Sequence, residues 1–254
     1  MNIFKVFRNP KNYLKALKFT LAGWYFDVFM KKFKAGGCSF DIPTSLTTRP
    51  GRGYFALDMY ENVERQLVSR YIKGDEHVLE LGACIGVVSC IVNARLSNPD
   101  KHVVVEANPE LIPYLENNKL LNKSKFSIAN CAISSKPEIA FYFGHSIVSG
   151  SLLNTNNDKQ KTVVRGLSID QLQENHNMKF DTLIMDIEGG EYDVLFDYQD
   201  KLKQFNLIII ENHPHLLDHT QISAYEDLLL KNRFFVDASI ETSKVWVKNK
   251  GLVL

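Results

Sequence analysis

HVLELGACIG at residues 77–86 and VVVEANP at residues 103–109 are the two stretches that decide the fold class. The first is an apolar run that ends in Gly82 and Gly86, the pattern of a buried parallel strand that turns tightly into a helix. The missing Cβ atoms of glycine let backbone amides approach a ligand. The second run ends in Glu106, about 20 residues after Gly86, where an acidic residue binds ribose hydroxyls in nucleoside-binding βαβ units. The two stretches therefore predict a bound nucleoside cofactor.

The spacing of the glycines indicates which cofactor to expect. Dinucleotide sites use G-x-G-x-x-G, whereas here Cys84 stands where the second glycine would be. Glu80 adds a negative charge beside the turn, which would repel a diphosphate and attract a ligand that carries an ammonium and a sulfonium. These residues favour S-adenosylmethionine over a nicotinamide dinucleotide.

A third strand pattern, FDTLIMD at 180–186, runs directly into an acidic, glycine-rich turn that contains Glu188 and Glu191. In open α/β sheets, ligands bind beyond the carboxyl ends of the strands. We therefore expect Asp186 and Glu188 to lie beside the ligand that the first two loops bind.

These motifs, in this order, resemble those of the FkbM-type methyltransferase family, class I enzymes that use S-adenosylmethionine and mostly methylate hydroxyls of sugars and polyketides. The resemblance covers about residues 53–250 and includes Asn117, Asn118, Asn122, Gly150-Ser151-Leu152, Leu167–Asp170 and MDIEGGEYDVL at 185–195. It implies a cofactor site formed by Glu80, Gly82, Ala83, Gly86, Glu106, Ala107, Asn108, Ala132 and Asp186.

Strand and helix patterns alternate from residue 77 onward, as a doubly wound α/β sheet requires. Apolar strands are expected at 77–82, 102–106, 126–131, 180–186 and 206–211. Helices are expected at 86–96, 109–121, 168–175, 190–203 and 221–231. An inserted strand pair at 139–143 and 161–165, bridged by a polar loop at 150–160, and a final antiparallel pair at 234–238 and 244–248 complete the pattern. We predict a Rossmann-like class I methyltransferase sheet, mostly parallel, with an antiparallel C-terminal strand.

The amino-terminal segment has a different character. Residues 1–37 carry eight basic side chains and a single acid, Asp27, although the whole chain has a net charge of only +1. One apolar face of a helix is predicted by side chains that recur at steps of three and four residues: Leu14, Leu17, Leu21, Trp24 and Val28. The apolar run is too short to span a bilayer, and no signal-peptide cleavage site follows it.

Three roles remain open for this segment. Residues 1–34 could lie on an anionic membrane surface, cover the substrate as a lid, or pack on the catalytic domain or on a second copy of the chain. A connector rich in proline and glycine follows, so we divide the chain into a helical extension at 1–52 and a methyltransferase domain at 53–254. That domain should begin with a helix at 53–71 that borders the cofactor and offers Tyr54, Asp58 and Glu64 as further site candidates.

Composition limits the class of protein. A chain of 254 residues with 45% hydrophobic residues can bury one substantial core. The near-neutral charge gives no overall field to attract nucleic acid. The four cysteines form neither a C-x-x-C pair nor a Cys/His cluster, so zinc and disulfides are not expected. This fits a cytoplasmic enzyme, and a peripheral location at the membrane stays open.

Methyl transfer to an alcohol requires alignment of the hydroxyl and removal of its proton. Asp186 and Glu188 are the first candidates for this base and His213 is the second, because its ordinary pKa lies near 6.5. A divalent metal on Asp186, Glu188, Glu211 and a histidine is conceivable, but nothing in the spacing requires it, and we predict no metal.

Two other classes of function remain to be compared with this hypothesis. A nicotinamide oxidoreductase is disfavoured by Cys84 and by the lack of a Tyr-x-x-x-Lys pair after the fourth strand. A non-catalytic binding protein with a degenerate pocket is disfavoured because Glu80, Gly82, Gly86 and Glu106 are all present. The predicted function is O-methylation of a small molecule, sugar, glycan or glycolipid, by a monomer or a homo-oligomer.

Overall fold

The fold is seen in a computed structural model that describes residues 10–144, 146, 147, 150 and 160–249. In chain order the elements are α1 (Pro10–Tyr25), a π-helical turn (Phe26–Met30), β1 (Phe33–Ala35), β2 (Cys38–Phe40), α2 (Arg49–Ala56), α3 (Asn62–Tyr71), β3 (Val78–Leu81), α4 (Val87–Asn93), β4 (His102–Glu106), α5 (Ile112–Leu121), β5 (Ser127–Asn130), β6 (Ala132–Ile133), β7 (Glu138–Phe143), β8 (Gln160–Leu167), α6 (Ile169–His176), β9 (Thr182–Met185), α7 (Glu191–Asp197), a 3-10 helix (Gln199–Gln204), β10 (Leu207–Glu211), α8 (His219–Lys231), β11 (Phe234–Ile240) and β12 (Ser243–Lys248).

A seven-stranded sheet in the order β11-β12-β10-β9-β3-β4-β5 forms the centre of the fold. Strands β10, β9, β3, β4 and β5 are parallel, and β12 pairs antiparallel with both β10 and β11. Every residue of β3, β4 and β9 is buried, as expected for parallel strands covered on both faces by helices. The prediction of a mostly parallel Rossmann-like sheet with an antiparallel C-terminal strand is confirmed.

The order of the strands positions the functional site. From β3, the strands β4 and β5 follow in chain order toward one edge of the sheet, and β9 and β10 then follow on the other side of β3. The point where the order reverses lies between β3 and β9, where Leu81 pairs with Met185. The loops that follow β3, β4, β9 and β10 therefore meet at one edge of the sheet, the usual place for a ligand in this architecture.

The inserted strand pair is present as predicted. Strands β7 and β8 pair antiparallel from Glu138↔Arg165 to Phe143↔Gln160, and β8 also pairs with β6. Most of the polar loop predicted at 150–160, including Ser151 and Leu152 of the quoted motif, lies outside the described residues.

The single helix predicted at 53–71 is wrong, because the structure has two helices there. Thr48 caps α2 by accepting a hydrogen bond from Gly51 N–H, and Pro50 occupies its first turn, so α2 begins inside the predicted connector. Left-handed backbone at Asp58 (φ 56°) and Glu61 (φ 46°) separates α2 from α3. This break places Tyr60 and Glu61 on a turn at the functional edge of the sheet.

Helix α1 exists, but it packs through a different face from the predicted one. Phe19 and Gly23 are the buried residues of α1 among those whose burial is described, and Phe26 is buried in the π-helical turn that follows. A Cβ on Gly23 would lie 1.8 Å from the Arg49 carbonyl oxygen, so α1 and α2 cross in direct backbone contact. The expectation that Leu14, Leu17, Leu21 and Trp24 could be buried on the catalytic domain is wrong, since all four are exposed.

Asp27 interrupts the apolar run because it forms an ion pair within this contact. Its carboxylate accepts a hydrogen bond from Arg52 Nη2 at 2.9 Å and lies 3.4 Å from Arg49 Nε. The hydrogen bond from Arg52 lowers the pKa of Asp27, so the carboxylate stays ionised.

None of the helices in the described part of the chain combines the length and hydropathy that a membrane span requires.

Candidate active site

Two adjacent spaces open at the edge where the strands end. The first, which we call the inner cavity, encloses about 800 Å³, part of it open to solvent. Its lining includes Gly82, Cys84, Glu106, Ala107, Asn108, Leu111, Ala132, Ile133, Ile147 and Asp186. The second, which we call the outer cleft, encloses about 1460 Å³ and is more open. Its lining includes Tyr54, Asp58, Met59, Glu64, Glu211, His213 and Glu241, and both spaces are lined by Tyr60, Glu61, Asp186 and Glu188.

Glu106 lies at the end of β4 in the wall of the inner cavity and is only 6% exposed. Its carboxylate accepts hydrogen bonds from Cys84 N–H and from Asn108 N–H, both at 2.7 Å. Burial raises the pKa of Glu106 to about 7, although these backbone hydrogen bonds oppose the shift. Each carboxylate oxygen can accept a further hydrogen bond, so the residue is oriented to bind a pair of hydroxyls.

Cys84 gives the first loop its shape. Its backbone is left-handed (φ 51°), a conformation that glycine adopts more easily. The thiol lies 3.2 Å from Tyr60 Oη and 3.3 Å from the Ile147 carbonyl oxygen. Burial raises its pKa well above the ordinary value, so Cys84 is a neutral, packed thiol.

The two glycines of the first motif have packing roles that the sequence did not reveal. Gly82 is left-handed (φ 88°), and a Cβ there would lie 1.7 Å from the Asp186 carbonyl oxygen. Gly86 (φ 83°) faces Leu115, whose Cδ1 would lie 2.6 Å from an added Cβ. Gly82 lines the inner cavity, whereas Gly86 does not. The missing Cβ atoms let neighbouring parts of the protein approach each other. The approach of a ligand to the backbone at these glycines stays a prediction.

Glu80 is also placed differently from our expectation. Its carboxylate is 2% exposed, accepts a hydrogen bond from Ser89 Oγ at 2.5 Å and lies 3.0 Å from His102 Nε2. Together with Ala83, Gly82 and Asp186 it lines a third, smaller space. Neither Glu80 nor Ala83 lines the inner cavity.

The acidic turn after β9 surrounds His213, which follows β10 and is 5% exposed. The ring Nδ1 lies 2.9 Å from Glu191 Oε1, and Nε2 lies 3.3 Å from Asp186 Oδ1 and 3.7 Å from Glu188 Oε2. Burial alone would lower the pKa of His213, but the hydrogen bonds with Asp186 and Glu191 outweigh it and raise the pKa to about 11. His213 is therefore an imidazolium at neutral pH and has no lone pair with which to accept a proton.

The outer cleft is strongly acidic. Its lining residues include seven carboxylates and, among those described, no lysine or arginine: the acids are Asp58, Glu61, Glu64, Asp186, Glu188, Glu211 and Glu241. Burial, followed by the charge of Asp186, raises the pKa of Glu211 to about 8. Such a cleft favours a cationic group over a diphosphate.

Three ligand atoms, one each from Asp186, Glu211 and His213, lie within 4.8 Å of one another. A histidine must be neutral to bind a metal. In the described arrangement His213 is an imidazolium paired with carboxylates, so a metal could bind there only after His213 loses its proton. The absence of a metal stays a prediction.

Two functional candidates, Glu61 and Glu191, were missed in the sequence. Glu61 follows the break between α2 and α3, and its Oε2 is buried without a hydrogen-bond partner among the described residues. Burial raises the pKa of Glu61 well above its ordinary value, and a hydrogen bond with Tyr60 partly offsets the shift. Glu191 belongs to the acidic run at 186–191, but its role could not be predicted because its partner, His213, is distant in sequence. The candidates Tyr54, Asp58 and Glu64 line the outer cleft and not the inner cavity, so their functional role stays a prediction.

Comparison with solved structures finds related folds at low identity. The O-methyltransferase from Bacillus cereus in complex with SAH is 14% identical, with a TM-score of 0.48, and the alignment covers 92% of this chain and 100% of that one. The ribosomal protein L11 methylase from Lactobacillus delbrueckii subsp. bulgaricus is 14% identical, with a TM-score of 0.45, and the alignment covers 75% and 80% of the two chains. At these identities the likeness concerns the fold alone.

Comparison with families is more specific. No curated protein sequence matches the chain significantly. A family model described as the methyltransferase FkbM domain matches residues 80–235, which is more than half of the chain. The match includes the end of β3, the whole of β4, β9 and β10, and the loops that follow these strands. The chain therefore belongs to the FkbM methyltransferase domain family and is a methyltransferase.

Proposed function

We propose that this methyltransferase uses S-adenosylmethionine to methylate a hydroxyl of a sugar, glycan or glycolipid. The observation that carries the proposal is the junction of the two spaces. A mostly apolar cavity with Glu106 in its wall opens, at Glu61 and Asp186, into a wide acidic cleft. A nucleoside and a transferable cationic group would thus lie on one side of the junction and a polar acceptor on the other.

The inner cavity fits the nucleoside part of the cofactor. Glu106 would accept hydrogen bonds from the two ribose hydroxyls, while Ala107, Leu111, Ala132 and Ile133 offer an apolar surface to the adenine. Glu61, whose buried Oε2 has no partner among the described residues, would bind the ammonium group. The same carboxylates would repel a nicotinamide dinucleotide with its diphosphate.

When bound, the cofactor would supply a methyl group that the sulfonium already activates. The protein then has to hold the acceptor oxygen in line with that methyl group and accept the proton that the hydroxyl loses. Asp186 lines both spaces and is the best placed base, with Glu188 beside it. His213, being protonated, would fix the orientation of these two carboxylates. Asp186 or Glu188 would accept the proton that the hydroxyl loses and would pass it on to water.

The size and polarity of the outer cleft support a sugar-like acceptor. Carboxylates lining the cleft can accept hydrogen bonds from several hydroxyl groups at once, and Tyr54 and Met59 add an apolar surface at the opening. Lysine and arginine are lacking among its described lining residues, which argues against a phosphorylated or nucleic-acid acceptor.

The test is methyl transfer from radiolabelled S-adenosylmethionine to a panel of free sugars, glycans, glycolipids and amine-bearing analogues. We expect label in a saccharide as a methyl ether, and loss of that product with Asp186→Asn. Transfer confined to amines, or to phosphorylated acceptors, would contradict the proposed acceptor class. The matched control is Asp193→Asn, since Asp193 lies on α7 but lines neither space.

A further inference from the structure

Helix α1 presents an exposed apolar face opposite to the one that packs on α2. The exposed side chains recur at helical spacing and are large: Leu14 is 62% exposed, Leu21 58% and Trp24 49%. Val28 and Phe29 extend the same surface, at 43% and 62% exposure. We call this surface, formed by Leu14, Leu17, Leu21, Trp24, Val28 and Phe29, the α1 outer face. A continuous apolar surface of this kind on a protein normally binds something.

Positive charge borders the α1 outer face. Lys15, Lys18, Lys31 and Lys34 are exposed, and Lys32 pairs with Asp41 at 3.2 Å. The one acid of this region, Asp27, is already bound by Arg49 and Arg52 and does not neutralise these lysines. An apolar helix face bordered by lysines, in a helix that cannot cross a bilayer, is the pattern of a segment that lies in the plane of an anionic lipid surface.

Helix α1 contacts the lining of the outer cleft through its buried side. The ring of Phe19, on the buried side of α1, stacks on Tyr54 with centroids 4.3 Å apart. Tyr54 in turn lines the cleft, together with Met59, which is 48% exposed. A surface bound by α1 would therefore be near the opening through which an acceptor enters.

We propose that the α1 outer face binds anionic membrane lipids and brings the outer cleft to acceptors at that surface. The binding step is independent of the proposed function, whereas the delivery of an acceptor rests on it. A second copy of this chain is a poorer occupant, because two such faces would bring their lysines together without any acid to neutralise them. An anionic surface pairs with the same lysines and takes up the apolar side chains.

The experiment is co-sedimentation of the full chain with phosphatidylcholine vesicles that contain or lack phosphatidylglycerol, at low and high salt. We expect binding only to the anionic vesicles, weakened by salt. The double variant Leu21→Glu/Trp24→Glu should bind roughly tenfold more weakly or worse, because it places charge in the apolar face. Its melting temperature should stay unchanged, because both side chains are exposed.

The matched control is Leu120→Glu, which charges another exposed leucine, at 77% exposure on α5, and should bind like the unchanged protein. Three outcomes would overturn the proposal. The first is no binding of the intact chain to anionic vesicles at low salt, and the second is equal binding of the double variant. The third is light scattering that shows a dimer of the intact chain and a monomer of the double variant, which would assign the face to a second copy.

Discussion

Gly82→Ala should greatly reduce turnover, because Gly82 controls where the loop after β9 holds Asp186. A Cβ at residue 82 would lie 1.7 Å from the Asp186 carbonyl oxygen, while contacts under 3.0 Å are essentially never seen. The two loops must therefore separate by more than 1 Å. A displacement of about 1 Å near a reacting group typically costs about 10²-fold in rate. Left-handed backbone at an alanine adds about 1–2 kcal/mol of strain.

A matched control separates the strain from the displacement. Gly37 is also left-handed (φ 81°), but an added Cβ there meets nothing within 4 Å. Gly37→Ala should therefore destabilise the protein by a similar strain energy and leave turnover unchanged. Both variants would be compared in thermal melting and in methyl transfer to the best acceptor of the panel. In Gly82→Ala the pKa of His213, followed by NMR, should also fall as Asp186 moves away. Turnover of Gly82→Ala within about threefold of Gly37→Ala would refute this reasoning.

Three other predictions concern the chemistry of the site. The pKa of Glu106 is raised to about 7, and its carboxylate binds hydroxyls best when ionised, so affinity for S-adenosylhomocysteine should be highest well above pH 7 and should fall as the pH drops through 7. Glu106→Gln should remove this contribution of residue 106 to the pH dependence in calorimetry. Asp186→Asn should lower turnover by about 10²–10⁴-fold with a much smaller change in cofactor affinity, and full activity in Asp186→Asn, Glu188→Gln and His213→Gln alike would remove the assignment. A chelator should leave turnover unchanged, whereas a loss that Mg²⁺ restores would make Asp186, Glu211 and His213 metal ligands.

Most of the sheet could be predicted because its strands are short, apolar and separated by turn residues. The predicted strand at 102–106 agrees with β4 to the residue, and β3, β9 and β10 differ from the predictions only at their ends. Strands buried on both faces leave a continuous apolar pattern, which depends only on local sequence.

The break between α2 and α3 could not be predicted, since it involves no glycine or proline. Asp58 and Glu61 adopt left-handed backbone, and tertiary contacts hold that turn: Arg65 donates hydrogen bonds to the carbonyl oxygens of Tyr60 and Asp58 at 2.9 and 3.0 Å. When the side chain that stabilises a turn lies on the following helix, the residues of the turn itself give no sequence signal for it.

The face through which α1 packs could not be predicted, for a related reason. The periodicity of Leu14, Leu17, Leu21 and Trp24 predicts an apolar face, but periodicity cannot say whether another element covers it. The contact that forms uses Gly23 and Gly53, each packed against a carbonyl oxygen of the other helix. Glycines at a helix crossing contribute no hydrophobic periodicity, so the sequence does not indicate that the face of α1 containing Gly23 is the buried one.

The protonation of His213 also depends on residues that are distant in sequence. Its ordinary pKa suggested a base, but Asp186 and Glu191 on the neighbouring loop keep it charged. The sequence shows these carboxylates, but it does not show how close they lie to the imidazole ring of His213. The proposed assignment of the base to Asp186 or Glu188 follows from that geometry.

The most direct test of the account is calorimetry with S-adenosylhomocysteine on the unchanged protein, Glu106→Ala and the control Glu110→Ala, with NAD as a second ligand. We predict that S-adenosylhomocysteine binds and NAD does not. Glu106→Ala should lose about 1.5–3 kcal/mol of binding free energy, because the ribose hydroxyls lose a charged acceptor. Glu110 is exposed and outside the inner cavity, so its variant should bind normally. Equal affinity in Glu106→Ala, or binding of NAD in place of S-adenosylhomocysteine, would contradict the proposed cofactor site.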